Sequence, residues 1–379
     1  MENYCEKQLP VKKPSARNYG IDLLRCFAMA MIVMLHTLSK SGLLTETTVG
    51  SLKYEIVWFM EIFCYCAVDC FIIISGFVGL NSKFRISRIL LLWLQVEFYS
   101  VGLTVLMQIV QGDFNLQELL RSLLPVSTNA YWFFTQYFVL SFFMPFINKL
   151  VLSMTIRQNG LFVGMMLVFF SLLPMLYAVP VDILGKFNEK IFYTERGYSV
   201  LWMIVIYSLG AFINRLVNSQ RLDRIKGYVY FLVFMCSDII IWIIHYLCVN
   251  RENKVSQYFV VSYTSPFVVL SAVGMFMFFS KMQFCDRANK LISFFSAGAF
   301  SVYLIHLHRC IYPVFKEFVS LMLDMRVLKL IPCLLFTVLF VFFVCTLFDA
   351  LRERLFKILR IDRLCKRTDR ILTVKKTDV

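Results

Sequence analysis

Charge is what this sequence lacks. Only 17% of its 379 residues are Asp, Glu, Lys or Arg, while 59% are hydrophobic and the mean hydropathy is +0.70. Soluble domains carry about 25% charged residues, so this chain has too little polar surface to cover a globule in water. No polar stretch of domain length separates the apolar runs either, and a soluble domain is excluded. The first apolar segment lacks a small-residue cleavage site. It starts late, after a basic arm with Lys7, Lys12, Lys13 and Arg17, and ends in the polar run His36 to Lys40, so it is read as a retained helix and not a leader. Twelve cysteines are present, but none forms a framework in long outer loops. Cys64, Cys66 and Cys70 have no second His/Cys cluster to complete a four-ligand set, which argues against a metal site. No internal repeat is evident, which counts against an inverted-repeat transporter.

What is present is a set of apolar runs of membrane-spanning length. About 20 apolar residues cross a hydrocarbon core of roughly 30 Å. By that measure spans fall near 19–39, 56–80, 89–110, 131–151, 160–178, 198–216, 227–248, 257–280, 292–322 and 328–349. The fold class is therefore all-α: a polytopic transmembrane bundle of about ten helices. The net charge of +15 might point to nucleic acid, but the basic residues fall into alternate loops. Twenty-six Lys and Arg lie in the N-terminal arm, the even-numbered loops and the tail, against ten in the other loops. The positive-inside rule then places both termini in the cytoplasm. Three parts follow: a basic arm at 1–18, a membrane domain at 19–349 and a basic tail at 350–379. Leu351, Leu355, Ile358, Leu359 and Leu364 give the tail either an amphipathic face for anionic membrane lipid or only a solvated, topology-fixing role.

Ionisable side chains inside spans are costly and mark function. The first helix holds Asp22, Arg25 and His36. Eleven residues from Arg25 to His36 make about 1100° of rotation, some 20° past three turns, with a rise of about 16 Å. Both side chains thus share one face, and Asp22 falls within about 40° of His36 on it. The second span carries Asp69, for which Arg25 is a candidate partner, and then Ser75-Gly76, where another backbone can approach closely. Arg85 and Arg88 follow directly. Two guanidiniums three residues apart at a helix start can grip phosphates, though positive-inside anchoring explains them equally well. His306 lies in the ninth span and could face the cavity of His36. Trp132 opens the fourth span in an aromatic run suited to an interface or to stacking on a sugar.

The run Tyr19 to Arg25 (YGIDLLR), followed by ten residues and His36, resembles the first helix of the acyltransferase-3 family of integral-membrane acyltransferases. The resemblance continues through Phe71–Phe77 (FIIISGF), Arg85-Ile-Ser-Arg88, Tyr131–Tyr137 (YWFFTQY) and Leu140–Asn148. It extends to Leu201-Trp202 with Gly210, and to Ser301–His306 (SVYLIH). Its nearest flavour is the surface-polysaccharide O-acetyltransferase branch, from which His308-Arg309 and Asp69 depart. The resemblance implies a bacterial inner or plasma membrane enzyme. It would move an acetyl group from cytoplasmic acetyl-CoA, a donor substrate and not a bound cofactor, to a hydroxyl of a cell-surface glycan or lipid-linked sugar. His36 would be the catalytic histidine, with Arg25 and Asp22 completing the catalytic set. Arg85 and Arg88 would hold donor phosphates, Trp132 and His306 would contact substrate, and Asp69, Ser75 and Gly76 would support them. No metal and no nucleic acid enter this reading. The rival from another class is a secondary transporter or glycan flippase, which also places ionisable residues on helix faces but needs no acyl-CoA.

Overall fold

The structure is a computed structural model that describes residues 17–176, 194–249 and 260–374, with side chains through Asp369. Most of the basic arm, Lys186, Lys190, Arg251, Lys254 and most of the long loop expected at 179–197 lie outside these residues. Among the described residues the secondary structure is helical without strands, and nine helical segments are long and apolar enough to cross a membrane. They are α1 (Tyr19–Lys40), the broken pair α2 (Leu52–Tyr65) and α3 (Ala67–Gly79), and α4 (Ile86–Gln111). After the short α5 (Leu116–Ser122) come α6 (Trp132–Ser153), α7 (Ile156–Leu167, extended by a π turn to Leu176), α8 (Val200–Asn218) and α9 (Gly227–Val249). The shorter α10 (Pro266–Ser280) precedes α11 (Asp286–His306), the outlying α12 (Tyr312–Ser320) and α13 (Val327–Ile358). Finally α14 (Ile361–Val374) closes the chain. The protein is a multi-pass membrane protein. Counting the shorter α10, ten apolar helical segments lie among the described residues, and α14 packs against α4.

Each expected span corresponds to one of these segments, with two differences. The eighth, expected near 257–280, has its helix only from Pro266 to Ser280, and residues 257–259 lie outside the described ones. The ninth, expected near 292–322, stops at His306 and resumes as the separate α12. His308 causes the stop: its Nε2 lies 3.1 Å from the Ser100 carbonyl, and the Cys310 N–H donates to its Nδ1 at 3.2 Å. The ring therefore occupies the Cys310 N–H, a backbone donor that a continued helix would use.

α1 is the most enclosed span and α7 the least, so α1 forms the interior and α7 faces lipid. Asn18 caps α1 by accepting from the Ile21 N–H, and its own amide donates to the Ser280 carbonyl at the end of α10. Close approach of helices needs missing side chains. A Cβ on Gly76 would overlap the Tyr207 carbonyl, and one on Gly210 would overlap the Ile73 carbonyl, so α3 and α8 touch backbone to backbone. The last carbonyls of α3, unmatched within the helix, accept from Asn148 (to Gly79, 3.0 Å) and Asn214 (to Phe77, 2.8 Å). The two halves of the second span meet at Cys66, whose ψ of −4° lets the helix change direction inside the membrane.

α13 runs through the boundary expected at 349–350 without a break. Its Asp349 binds Arg352 at 2.6 and 3.1 Å, accepts from the Tyr99 hydroxyl at 2.8 Å, and accepts a close hydrogen bond from Ser301. This network ties α4, α11 and α13 together near the Arg25 end. There α14 docks on the start of α4: the Ser87 N–H and hydroxyl donate to the Asp369 carboxylate at 3.0 and 2.6 Å. Leu351, Leu355, Ile358, Leu359 and Leu364 are all exposed.

Two predictions follow from this packing. Gly210→Val should abolish recovery of monodisperse protein in detergent, whereas Gly102→Ala, with open space around its Cβ, should not; normal size-exclusion behaviour of Gly210→Val would contradict the backbone contact. The hydrogen bonds from Ser87 hold the Asp369 carboxyl below the usual carboxylate range. A lowered folded value keeps the docking intact above the usual range and loses it only as pH falls through that lowered value. Wild-type resistance to trypsin at Arg363 and Arg367 should therefore be flat from pH 8 to pH 6, and Asp369→Asn should be cut several-fold faster across that range.

Candidate active site

The face of α1 predicted from spacing opens into two cavities, one toward each end of the helix. The first, of about 150 Å³, is lined by Met29, Ile32, Leu35, His36, Ser39, Glu61, Tyr65, Val68, Phe71, Trp132, Phe133, Tyr198, Tyr263, Phe300 and Tyr303. The second, of about 350 Å³, takes in Arg25, Ser75, Gly79, Lys83, Arg85, Arg88, Tyr137, Asn148 and Tyr207 among its walls. Arg25 and His36 are thus on one helix face, as 3.6-residue periodicity requires, but serve different chambers.

His36 is anchored by the end of α11. Its Nδ1 lies 2.9 Å from His306 Nε2, and His306 Nδ1 lies 2.5 Å from the Val302 carbonyl. A carbonyl only accepts, so the hydrogen-bond pattern assigns the proton to His306 Nδ1. Neutral His306 then accepts at Nε2 from the Nδ1–H of His36. That leaves the lone pair of His36 Nε2 without a partner among the described residues, on a ring that lines the cavity. His306 itself is buried behind His36 and is absent from the cavity wall.

The opposite wall is aromatic. Trp132 packs against Tyr198 with ring centroids 4.5 Å apart and lies near parallel to Tyr263 at 6.2 Å. Tyr263 in turn meets Tyr65 at 4.8 Å and Tyr198 at 5.2 Å. Tyr303 accepts from the Phe133 N–H at 3.2 Å, fixing the start of α6 against α11.

In the second chamber Arg25 is held by a close ion pair to Asp22, which also binds Arg17 at 2.5 Å. The acid on the stripe therefore belongs to the arginine and not to His36. Arg85 immediately precedes α4 and Arg88 lies in its first turn, both exposed, with Lys83 nearby on the same wall. The Ser87 N–H at this helix start is already taken by the Asp369 carboxylate of α14.

The two chambers share a thin partition. Phe71 and Ser75 sit one turn apart on α3, and Phe133 and Tyr137 one turn apart on α6; the first of each pair lines the His36 chamber and the second the Arg25 chamber. Across it the Ser75 and Tyr137 hydroxyls are 3.2 Å apart, and the Phe71 and Phe133 rings meet edge to face at 6.2 Å.

Two expected roles take a different form. Asp69 does not reach Arg25; its carboxylate accepts from the Trp202 indole N–H at 3.1 Å, fully buried against α8. Gly76 is a packing glycine whose missing side chain admits Tyr207. His308 and Arg309 likewise stay out of the chamber: Arg309 pairs with Glu118 at 2.7 Å, and that bond together with Arg121 holds the Glu118 carboxyl below its usual range. Glu61, Tyr198 and Tyr263 line the His36 chamber without having been picked out from sequence. Glu61 carried a usable signal, being an ionisable residue inside an apolar span. Among the described residues no group of three or more His, Cys, Asp or Glu is placed to hold a metal ion.

A family model described as an acyltransferase domain (Acyl_transf_3) matches residues 18–350, which include both chambers. The chain belongs to this family and is a membrane acyltransferase. No curated protein and no solved structure matches it.

The histidine pair gives a direct prediction. His306→Leu, which removes the acceptor for the His36 Nδ1 proton, should lower acyltransferase turnover by about 10²-fold. His306→Gln, whose amide oxygen can still accept that proton, should retain more. Equal losses in the two variants would assign His306 to packing alone.

Proposed function

We propose that this member of the acyltransferase-domain family moves an acetyl group from cytoplasmic acetyl-CoA to a hydroxyl of a cell-surface or lipid-linked glycan, in a bacterial plasma membrane. One observation carries the reading. A single helix face offers a cationic chamber at one end and a base with an unengaged nitrogen at the other, separated only by the Phe71–Phe133 and Ser75–Tyr137 partition.

The bias of Lys and Arg toward the loops at the Arg85 end makes that end cytoplasmic, and both termini with it. Donor phosphates bind Arg85, Arg88 and Lys83 at the N-terminus of α4, with Arg25 further in, held in place by Asp22. The thioester arm passes the partition beside α1 and brings its carbonyl toward His36. The acceptor enters the other chamber over Trp132, Tyr198 and Tyr263, whose rings suit the apolar face of a sugar. His36 Nε2 takes the hydroxyl proton as the oxygen attacks the thioester carbonyl. The C–S bond then breaks, and the proton passes to the departing thiolate, giving an acetyl ester and free CoA thiol. His306, bonded to the Val302 carbonyl, keeps the correct nitrogen of His36 available.

Arg85→Ala with Arg88→Ala should raise the KM for acetyl-CoA at least tenfold and alter kcat less, because each charge-assisted contact is worth about 1.5–3 kcal/mol. An unchanged KM would return the pair to topology anchoring and remove the donor site from this reading.

A further inference from the structure

The His36 chamber holds one polar group that the transfer chemistry does not use. Glu61, on α2 shortly before the break at Cys66, lines the chamber and is only 8% exposed. Its Oε2 is wholly buried without a hydrogen-bond partner, and neither carboxylate oxygen bonds to any described residue. Among the described residues no Lys or Arg lines this chamber; the other polar side chains there are His36, Ser39, Trp132 and tyrosines. A carboxyl group enclosed in a membrane protein and left unbonded is strongly unfavourable, and a partner normally meets it. The groups missing are hydrogen-bond donors, which a ligand in the chamber would supply.

The rest of the wall narrows the chemistry of that ligand. Trp132, Tyr198, Tyr263 and Tyr65 form a contiguous aromatic surface beside Glu61. Flat apolar rings next to a carboxylate with two accepting oxygens fit a molecule with apolar C–H faces and adjacent hydroxyls at its rim. A pyranose ring has that form. One carboxylate can accept from two neighbouring hydroxyls at once, while a third hydroxyl is presented to His36.

We propose that Glu61 is the specificity-determining residue for the acceptor: it grips a vicinal diol of a neutral hexopyranose and so selects which hydroxyl reaches His36. This rests on the reading of the His36 chamber as the acyl-transfer site. A site built to accept hydrogen bonds rejects analogues lacking the hydroxyl far more strongly than an apolar pocket could. Selection should therefore follow the diol and not the size of the sugar.

The test uses purified full-length protein in proteoliposomes with [14C]acetyl-CoA. The acceptors are methyl glucoside, mannoside and galactoside, which between them present both cis and trans adjacent hydroxyls, together with their singly deoxygenated analogues. Label is followed into sugar ester and, by reaction with water, into free acetate. Wild type should acetylate at least one glycoside and discriminate at least tenfold against the analogues lacking either hydroxyl of one vicinal pair that is not itself acylated. Glu61→Gln should raise the KM for that glycoside at least tenfold, lower the ratio of ester to acetate and flatten the discrimination. An unchanged KM and discrimination would overturn the proposal. So would a proportional loss of ester and acetate, which would assign Glu61 to the chemistry or to the fold. If wild type releases acetate but acetylates none of the glycosides, the diol proposal fails and the donor half of the mechanism stands. If wild type neither releases acetate nor forms ester, the acyl-CoA reading itself fails.

Discussion

A helix that carries arginine at one end of a face and histidine at the other cannot lie against lipid, and the rest of the bundle exists around that constraint. α1 is enclosed by α2, α3, α10, α11 and α13. Each contact along its polar face answers a specific cost. Asp22 neutralises Arg25 close by, so the guanidinium is paired without being withdrawn from its chamber. His306 meets His36 with a ring nitrogen 2.9 Å away and not with a carboxylate or ammonium group. The bilayer thus dictates that the two functional groups be solvated by the protein, and the two chambers are what remains when the surrounding helices do so.

Much of this was legible in the sequence because helical period and bilayer thickness are rigid rulers. The alignment of Arg25 with His36, the spans and the grouping of Arg85 with Arg88 all depend on local spacing. Contacts across the chain were not legible. Trp202 meets Asp69 from 133 positions away, and nothing in the local sequence distinguishes it from Arg25 as the partner. Tyr198 and Tyr263 come to Trp132 from separate helix ends, where an aromatic belt is expected in any membrane protein. Glu61 was a failure of a different kind. The rule that singled out Asp69, an acid within an apolar run, applied equally to it; only its position in a span dominated by Asp69 and Ser75-Gly76 obscured it. The stop at His306 depended on His308 bonding to Ser100, a tertiary contact that overrides an apolar pattern continuing to residue 322.

The partition between the chambers gives the fold its functional logic. Ser75 and Gly76 are adjacent, yet one faces Tyr137 across the partition and the other seats the helix against Tyr207. The same turn of α3 therefore both fixes the helix position and forms part of the partition. His308, Arg309 and Asp69 serve loop closure and packing. Both chambers are left intact by them.

The central claim is that donor and base occupy opposite ends of one helix face, and sidedness tests it most directly. Protein would be reconstituted into sealed vesicles sorted by orientation, with membrane-impermeant [14C]acetyl-CoA supplied only in the medium. Wild type presenting Arg85 and Arg88 to the medium should consume it, wild type in the reverse orientation should not, and His36→Ala should be inactive in either. Consumption of the donor from both faces, or equal activity of His36→Ala, would contradict the account.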